Sequence, residues 1–196
     1  MQNGKVRVCI ATYLNDSQKR VDSLFACVYS ILCQTYQNFE IYIHHDGPLN
    51  DKELPEKFTS ISEKIKFIDN LEKKGSWGAY HRRGVSLMDP HPEWVLYTND
   101  DNYYVPVFLE RMIGKAVENN SKMVFCDCLH NYFGYTVLNT KVKVCHIDMG
   151  SFITHIDLIK ATTWTDFGPL GDGVYAKRVA AQTIPVKADG VLFVHN

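Results

Sequence analysis

Apolar, β-branched segments alternate with amphipathic segments along the first half of the chain, and this alternation most limits the folds open to it. Residues 5–12 (K-V-R-V-C-I-A-T) have the composition of a buried strand. From Ser17 to about Thr35 apolar residues recur at helical spacing, with Asp16 or Ser17 available as the N-cap. The resulting order β-α-β-α-β-α-β is typical of a parallel sheet covered by helices.

The alternation of strands and helices continues to about Lys122, and beyond it the predicted strands follow one another more closely. Further strands are predicted at residues 39–44, 65–68, 93–97, 124–128, 132–138 and 142–147. Further helices are predicted at residues 51–63, within 75–88, and at 107–119, 155–161 and 173–181. The later strands indicate a more antiparallel region. We therefore expect an α/β protein with a mixed, mainly parallel sheet flanked by helices, in one domain over residues 1–196.

Bulk properties exclude several classes of function. Lysine and arginine number 21 against 22 acidic residues, and a net charge of −1 gives no general field for nucleic acid or an anionic membrane. No apolar run approaches the ~20 residues of a membrane span, and the first residues pass into a strand without a signal-peptide core. The six cysteines lie in apolar surroundings without a C-x-x-C pair. These features predict buried thiols in a reducing, cytoplasmic location.

Polar residues follow the predicted strands at the points where the strands end. The groups are Thr12-Tyr13, His45-Asp46-Gly47, Lys73-Lys74-Gly75 and Thr98-Asn99-Asp100-Asp101. Ligands of open parallel sheets bind outside the carboxyl ends of the strands. A hydroxyl, an acid with a glycine, two lysines and a carboxylate pair are therefore expected at one edge of the sheet.

The adjacent carboxylates Asp100 and Asp101 predict a site for Mg²⁺ or Mn²⁺. These ions prefer oxygen ligands, and Mg²⁺ often takes one or two carboxylates with water and substrate phosphates. The alternative is a solvated turn that caps the following helix. His195, in V-L-F-V-H-N near the C-terminus, is a further candidate ligand or simply a tail residue.

Two later segments also carry candidate chemistry. Glycines precede a predicted helix that contains Arg82 and Arg83, a pattern that favours phosphate, although solvated arginines would look the same. Asp172 stands in Gly-Asp-Gly at a helix start, where it is either an N-cap or a general base. The aromatic residues within 130–165 either contact a ligand or fill a core.

The order of these motifs resembles the GT-A glycosyltransferases, in particular family 2. V-C-I-A-T-Y-L-N-D is similar to the first strand of that family, and S-I-L-C-Q-T-Y-Q-N-F-E-I-Y-I-H-H-D-G resembles its commonest motif. The D-x-D metal motif of the family corresponds in position to T-N-D-D-N-Y-Y-V-P. The family's glycine-phenylalanine turn and the acidic pair after it correspond to F-G-P-L-G-D-G-V-Y-A-K-R. The short chain also resembles the capsid-glycosylating enzymes of large algal viruses.

This resemblance implies a GT-A (Rossmann-like) fold, a nucleotide-diphosphate sugar donor such as a UDP-sugar, Mn²⁺ or Mg²⁺, and inversion at the sugar. A glycan or glycoprotein would be the acceptor, and Asp172 the catalytic base. Asp100, with Asp101 close by, and His195 would hold the metal. The donor-binding candidates are Thr12, Tyr13, Asp46, Lys74, Trp77, Arg82, Arg83 and Asn99.

The chain departs from the family pattern in two places, which keeps other functions open. Thr98 stands where the first acid of D-x-D is expected, and the acidic pair is reduced to Gly171-Asp172. A non-catalytic module that binds nucleotide sugars is therefore one alternative. A sugar nucleotidyltransferase is another, but it would normally carry a glycine-rich phosphate loop where this chain has A-T-Y-L-N-D.

Overall fold

The computed structural model describes residues 4–14 and 16–196, apart from the side chains of Trp77 and Phe133. Within these residues nine strands form one continuous sheet. The strands are β1 (Val6–Thr12), β2 (Phe39–His45), β3 (Ile65–Asp69), β4 (Trp94–Asn99), β5 (Tyr103–Tyr104), β6 (Met123–His130), β7 (Thr136–Leu138), β8 (Phe152–His155) and β9 (Val186–His195). The α-helices are α1 (Gln18–Leu32), α2 (Leu54–Thr59), α3 (Arg82–Ser86), α4 (Phe108–Asn119), α5 (Ile156–Ala161) and α6 (Gly171–Ala180).

The strand directions bring several strand ends to one edge of the sheet. The order is β3-β2-β1-β4-β8-β6-β9-β5, with β7 paired to β6. Strands β1 to β4 run parallel, and β8 is antiparallel to both β4 and β6. Because β9 is parallel to β6, strands β1, β2, β3, β4, β6 and β9 all end at the same edge, here called the carboxyl edge. The expected mixed, mainly parallel α/β fold is confirmed.

Two hydrophobic clusters cover the faces of this sheet. All seven residues of β1 are buried, as expected for a central parallel strand. One cluster joins β1 and β2 to α1 and α4, and the other packs β4 and β8 against α5 and α6. Cys126 and Cys128 lie in the same cluster, as period-two alternation predicts. All six cysteines are free thiols, but Cys33 and Cys145 are exposed, so the expected burial is wrong for these two.

A buried arginine in the central strand ties the segment after α3 to the sheet. Arg7 is fully buried, and its Nε atom donates to Glu40 on β2 at 2.8 Å. Its Nη atoms donate to the carbonyl oxygens of Val85, Ser86, Met88 and Pro90, and its guanidinium lies 4.1 Å above the Tyr42 ring. These bonds satisfy a charge that would otherwise be costly to bury.

The predicted strand at 142–147 is wrong. This segment is a series of turns and bends, and Cys145 adopts a left-handed φ of 64°. Helix α6 packs directly against it: a Cβ added at Gly173 would lie 2.6 Å from the Cα atom of Val144. The alternating valines thus face a helix instead of a neighbouring strand.

Several element boundaries also differ from the sequence-based expectation. Within 132–138 only Thr136–Leu138 is a strand, and α2 is shorter than its predicted 51–63. Strand β9 was not predicted at all. Asp189 and Gly190 interrupt its apolar pattern, and the register against β6 shifts at this place, as in a β-bulge.

Candidate active site

Asp100, at the end of β4, is an internal anchor of the carboxyl edge. The Thr12 hydroxyl at the end of β1 donates to its Oδ2 atom at 2.5 Å, and Arg20 of α1 donates to both carboxylate oxygens at 3.0 Å. Burial raises the pKa of Asp100, while the bonds from Thr12 and Arg20 oppose the rise. Both oxygens of this carboxylate are therefore engaged within the protein.

Asp101 has a different environment from its neighbour. Its side chain is only partly buried. Burial and the adjacent charge of Asp100 raise its pKa, and His195 acts in the opposite direction. Asp101 therefore interacts electrostatically with the end of β9.

Asp46, at the end of β2, organises the loop that follows β3. Its two oxygens accept the backbone N–H groups of Lys74 and Gly75, each at 2.9 Å, and His81 Nε2 lies 3.3 Å from Oδ1. Gly75 has a φ of 86°, a backbone conformation that favours glycine. The carboxylate thus fixes the shape of the loop beside any ligand at this edge.

Tyr13, His45 and Lys73 form the region beside the ends of β1 and β2. Lys73 Nζ lies 3.8 Å from the Tyr13 ring centroid, and the His45 ring lies 5.7 Å from that of Tyr13. A small cavity of about 60 Å³ opens here, lined in part by Tyr13 and His45. Lys74, the predicted donor contact, places its Nζ atom 3.6 Å from the Glu72 carboxylate. Its role in donor binding stays a prediction.

Arg82 bridges the end of β4 and the start of α6. It is buried, donates to the Asn99 side-chain oxygen, and places Nη1 3.9 Å from the Asp172 carboxylate. Its neighbour Arg83 donates to the Lys160 carbonyl oxygen in α5 at 3.0 Å. The expected glycine-rich helix start is a 3₁₀ turn, Ser76–His81, followed by the five residues of α3. The contacts of both arginines are therefore internal.

Asp172 lies in the first turn of α6 and is partly open to solvent. Its Oδ2 atom accepts the backbone N–H of Met149 at 3.2 Å, and its side chain is 34% exposed. The positive end of the helix dipole favours a carboxylate at this position. Asp172 thus offers an accessible carboxylate oxygen next to Arg82.

Asp148, His130 and His195 meet beside Asp172. His195 Nε2 lies 3.3 Å from Asp148 Oδ2, and the rings of His130 and His195 stack with centroids 4.2 Å apart. Burial and the nearby charge of Asp172 raise the pKa of Asp148 to about 8. One ligand atom from each of the three residues lies within 4.8 Å of the others, so they could together hold a metal ion. Two imidazoles and a carboxylate are suitable donors for a divalent cation.

The structure brings most sequence-predicted site residues to the carboxyl edge and adds others. Thr12, Tyr13, Asp46, Asn99, Asp100, Asp101, Asp172 and His195 lie at strand ends or at the start of α6. The Trp77 side chain falls outside the described part of the structure. Arg20, His130 and Asp148 were missed. The end of β6 could have signalled His130, whereas Arg20 and Asp148 carried no local signal.

Residues 8–169 match the family model described as Glycosyl transferase family 2. An uncharacterized glycosyltransferase of Rickettsia felis is 24% identical over 173 residues, which cover 82% of this chain and 27% of that protein. The chain thus spans about a quarter of the length of this curated relative. Within the described residues no helix is long and apolar enough to cross a membrane.

Solved glycosyltransferase structures share the fold. S. aureus TarS 1-349 matches with a TM-score of 0.76 and 15% identity, covering 98% of this chain and 60% of that one. Its complex with UDP-GlcNAc matches with a TM-score of 0.75 and 16% identity, covering 97% of this chain and 58% of that one. A third match is the mannosyltransferase PcManGT from Pyrobaculum calidifontis in complex with GDP-Man and Mn²⁺. Its TM-score is 0.73 at 14% identity, and the match covers 100% of this chain and 57% of that one. These matches confirm the GT-A fold.

Proposed function

The chain belongs to glycosyltransferase family 2, and from this membership we propose that it transfers a sugar from a nucleotide-diphosphate sugar to an acceptor hydroxyl, with inversion at the sugar. The observation that carries the proposal is the contact of Arg82 with both Asp172 and Asn99 at the carboxyl edge. This is where ligands of open α/β sheets bind.

The donor is proposed to lie along the ends of β1, β2 and β4. Tyr13 and Lys73 offer an aromatic face and a cation for the nucleoside diphosphate. The complexes of TarS with UDP-GlcNAc and of PcManGT with GDP-Man support a nucleotide sugar as the donor class. A UDP-sugar remains our proposal for this chain. Asp46 would act indirectly, by shaping the loop that flanks the donor.

The proposed metal is Mn²⁺ or Mg²⁺, with Asp101 and His195 facing it. Asp100 is the weaker candidate, because Thr12 and Arg20 already occupy its oxygens. When bound, the ion would offset negative charge on the departing diphosphate as a Lewis acid. The complex of PcManGT with Mn²⁺ supports an ion in this fold.

Asp172 is proposed as the general base. Its Oδ2 atom is held by the Met149 N–H, while the solvent-accessible carboxylate can take the proton of an acceptor hydroxyl. Arg82 holds Asp172 near Asn99, so the base stays beside the proposed diphosphate site. Loss of that proton activates the hydroxyl oxygen, which bonds to the sugar carbon as the nucleoside diphosphate departs.

The acceptor is proposed to be a glycan or glycoprotein. Tyr132 is 82% exposed and Tyr135 is 51% exposed, so neither ring fills a core. Tyr132 lies near the ring of His195, with centroids 5.9 Å apart. An exposed aromatic ring beside His195 is suitable for stacking on a sugar. The cytoplasmic location and the single domain stay predictions.

Turnover of nucleotide sugars tests this function. A panel of UDP- and GDP-sugars is incubated with the protein and Mn²⁺, and release of nucleoside diphosphate is measured with and without a chelator. We expect metal-dependent release for at least one donor. Calorimetry on the same panel gives donor affinity. Tight donor binding without release against any tested acceptor would indicate a nucleotide-sugar-binding module instead.

A further inference from the structure

We propose that His130, Asp148 and His195 bind the divalent ion, and that their two imidazoles select a first-row transition-metal ion over Mg²⁺. The role of this ion in sugar transfer rests on the proposed function, but its binding does not. Imidazole ligands suit transition metals, whereas Mg²⁺ prefers an all-oxygen shell that keeps several waters. The carboxylates Asp100 and Asp101 after β4 would by themselves favour Mg²⁺, because they supply only oxygen ligands.

The sheet positions the three ligands. His130 and His195 are paired residues at the ends of the parallel strands β6 and β9. Asp148 enters from the loop before β8, and this loop sits close on β9: a Cβ at Gly150 would lie 2.6 Å from the Phe193 ring. Ligand atoms around one ion lie at most about 4.2 Å apart. Because the three atoms already lie within 4.8 Å, small side-chain shifts complete the site.

The hydrogen bonds of His195 leave one ring nitrogen directed at Asp148. The Asn131 side-chain oxygen lies 3.0 Å from Nδ1 and only accepts, so Nδ1 carries the proton of the neutral ring. The lone pair of Nε2 then faces Asp148 Oδ2 at 3.3 Å. Two acceptors facing each other require a cation or a proton between them. An outer partner that fixes the histidine tautomer is also typical of metal sites.

Asp148 is built to present a single oxygen. Its Oδ1 atom accepts the Gly150 N–H at 2.8 Å, which leaves Oδ2 directed at His195. Asp148 is 8% exposed, so an ionised form without a partner would be costly. A metal ion bonded to Oδ2 supplies that partner.

The surrounding charges also favour a divalent cation. Asp101 and Asp172 both act electrostatically on Asp148 and His195. With Asp148 they form a group of three carboxylates, and the nearby Arg82 offsets one of them. A cation bound among these carboxylates would be attracted by them.

Metal binding at His130 would change a contact of its ring. Its Nδ1 atom accepts the Tyr132 N–H at 3.3 Å, a long hydrogen bond. If the ion binds Nδ1, the lone pair that accepts this N–H is taken. If the ion binds Nε2, the proton of the neutral ring lies on Nδ1, which then cannot accept. In both cases the contact with Tyr132 is lost. Metal binding should therefore rearrange the turn at Tyr132, which is exposed at the proposed acceptor side.

Mn²⁺ binding to the protein without any nucleotide tests this site. Electron paramagnetic resonance measures free Mn²⁺, and pulsed measurements detect coordinated imidazole nitrogen. We expect one Mn²⁺ per chain, two imidazole ligands, and little displacement by excess Mg²⁺. The variants His130→Gln and Asp148→Asn should weaken binding at least about tenfold. An ion without imidazole nitrogen, or with a single one, would overturn the proposal.

A matched histidine–carboxylate pair provides the control. His91 Nδ1 and Asp89 Oδ1 also lie 3.3 Å apart, but near the start of β4. His91→Gln should leave Mn²⁺ affinity unchanged. The pulsed measurement uses the unaltered protein, so it decides the question even where a variant fails to fold. Imidazole-bound Mn²⁺ without sugar transfer would refute only the proposed function, and transfer with an all-oxygen ion would refute only this site.

Discussion

The Thr12 hydroxyl donates a hydrogen bond to the Asp100 carboxylate across the neighbouring strands β1 and β4. Arg20 engages the same carboxylate from α1. This arrangement links the first strand, the first helix and the acid turn. It also separates the two adjacent aspartates into different roles, since Asp100 faces the protein and Asp101 faces the end of β9.

Asp100 is expected to contribute mainly to stability. In Asp100→Asn the donors from the buried Thr12 and the partly exposed Arg20 lose their charged acceptor, which should lower the free energy of unfolding by about 1.5–3 kcal/mol. Urea denaturation measures this change. Asp101→Asn is the matched control and should alter stability by less than about 1 kcal/mol while weakening Mn²⁺ binding. Equal stability of the two variants would contradict the assignment.

Arg82 and Arg83 provide a second matched pair. Arg82→Lys keeps the charge, but one ammonium cannot reproduce the two-sided contact with Asn99 and Asp172. We expect kcat to fall about tenfold or more, with a smaller change in the KM of the donor. Arg83 donates to the Lys160 carbonyl oxygen and, among the described residues, to neither Asn99 nor Asp172, so Arg83→Lys should retain nearly full activity. Steady-state kinetics on both variants test this, and equal losses would refute the positioning role of Arg82.

Asp172→Asn should remove transfer while preserving the donor site. An amide cannot take the acceptor proton, so we expect a loss of about 10²- to 10⁴-fold in kcat. Donor affinity measured by calorimetry should stay within about threefold, because the side chain lies at the acceptor side of the proposal. Asp189→Asn changes an exposed carboxylate on β9 and serves as the control. Unchanged transfer in Asp172→Asn would exclude it as the base.

The pair Arg7–Glu40 makes stability depend on pH. Burial raises the pKa of Glu40, but hydrogen bonds from Lys5 and Arg7 outweigh burial and hold it below its ordinary value of 4.5. Because the folded pKa is the lower one, this stabilisation is present above pH 4.5 and is lost as the pH falls through the folded pKa.

The variant Glu40→Gln should therefore be less stable than the parent near pH 6, by about 1–3 kcal/mol. The difference should shrink as the pH falls below 4.5 and through the folded pKa of Glu40, where the parent loses its own contribution. Urea denaturation across this range measures it. Glu56→Gln, at an exposed position of α2, should show no such dependence. A difference that stays constant with pH would mean that the charge of Glu40 does not contribute.

The parallel half of the fold was readable from the sequence because its signals are local. Strand β1 is a continuous apolar run, and α1 has helical spacing with cap residues at its start. The strand ends then predicted which polar residues meet, including Thr12 with Asp100. The strand predicted at 142–147 is wrong, because alternation alone does not reveal whether a strand or a helix packs against the segment.

Other parts of the site depend on long-range packing. Arg20 reaches Asp100 across 80 positions of sequence, so its role follows from how α1 lies on the sheet. Asp148 is directed at His195 by a loop that no periodicity marks, and β9 was hidden by its interruption at Asp189 and Gly190. The local sequence left Asp172 as either an N-cap or a general base, and the family resemblance favoured the base, which stays a proposal.

A crystal structure of the protein with Mn²⁺ and a nucleotide sugar tests the central claim most directly. We expect an anomalous Mn²⁺ peak within bonding distance of His130, Asp148 and His195, with the diphosphate beside Asp101 at the carboxyl edge. The sugar carbon should face the accessible oxygen of Asp172. A nucleotide bound away from this edge, or an ion held by Asp100 alone, would contradict it.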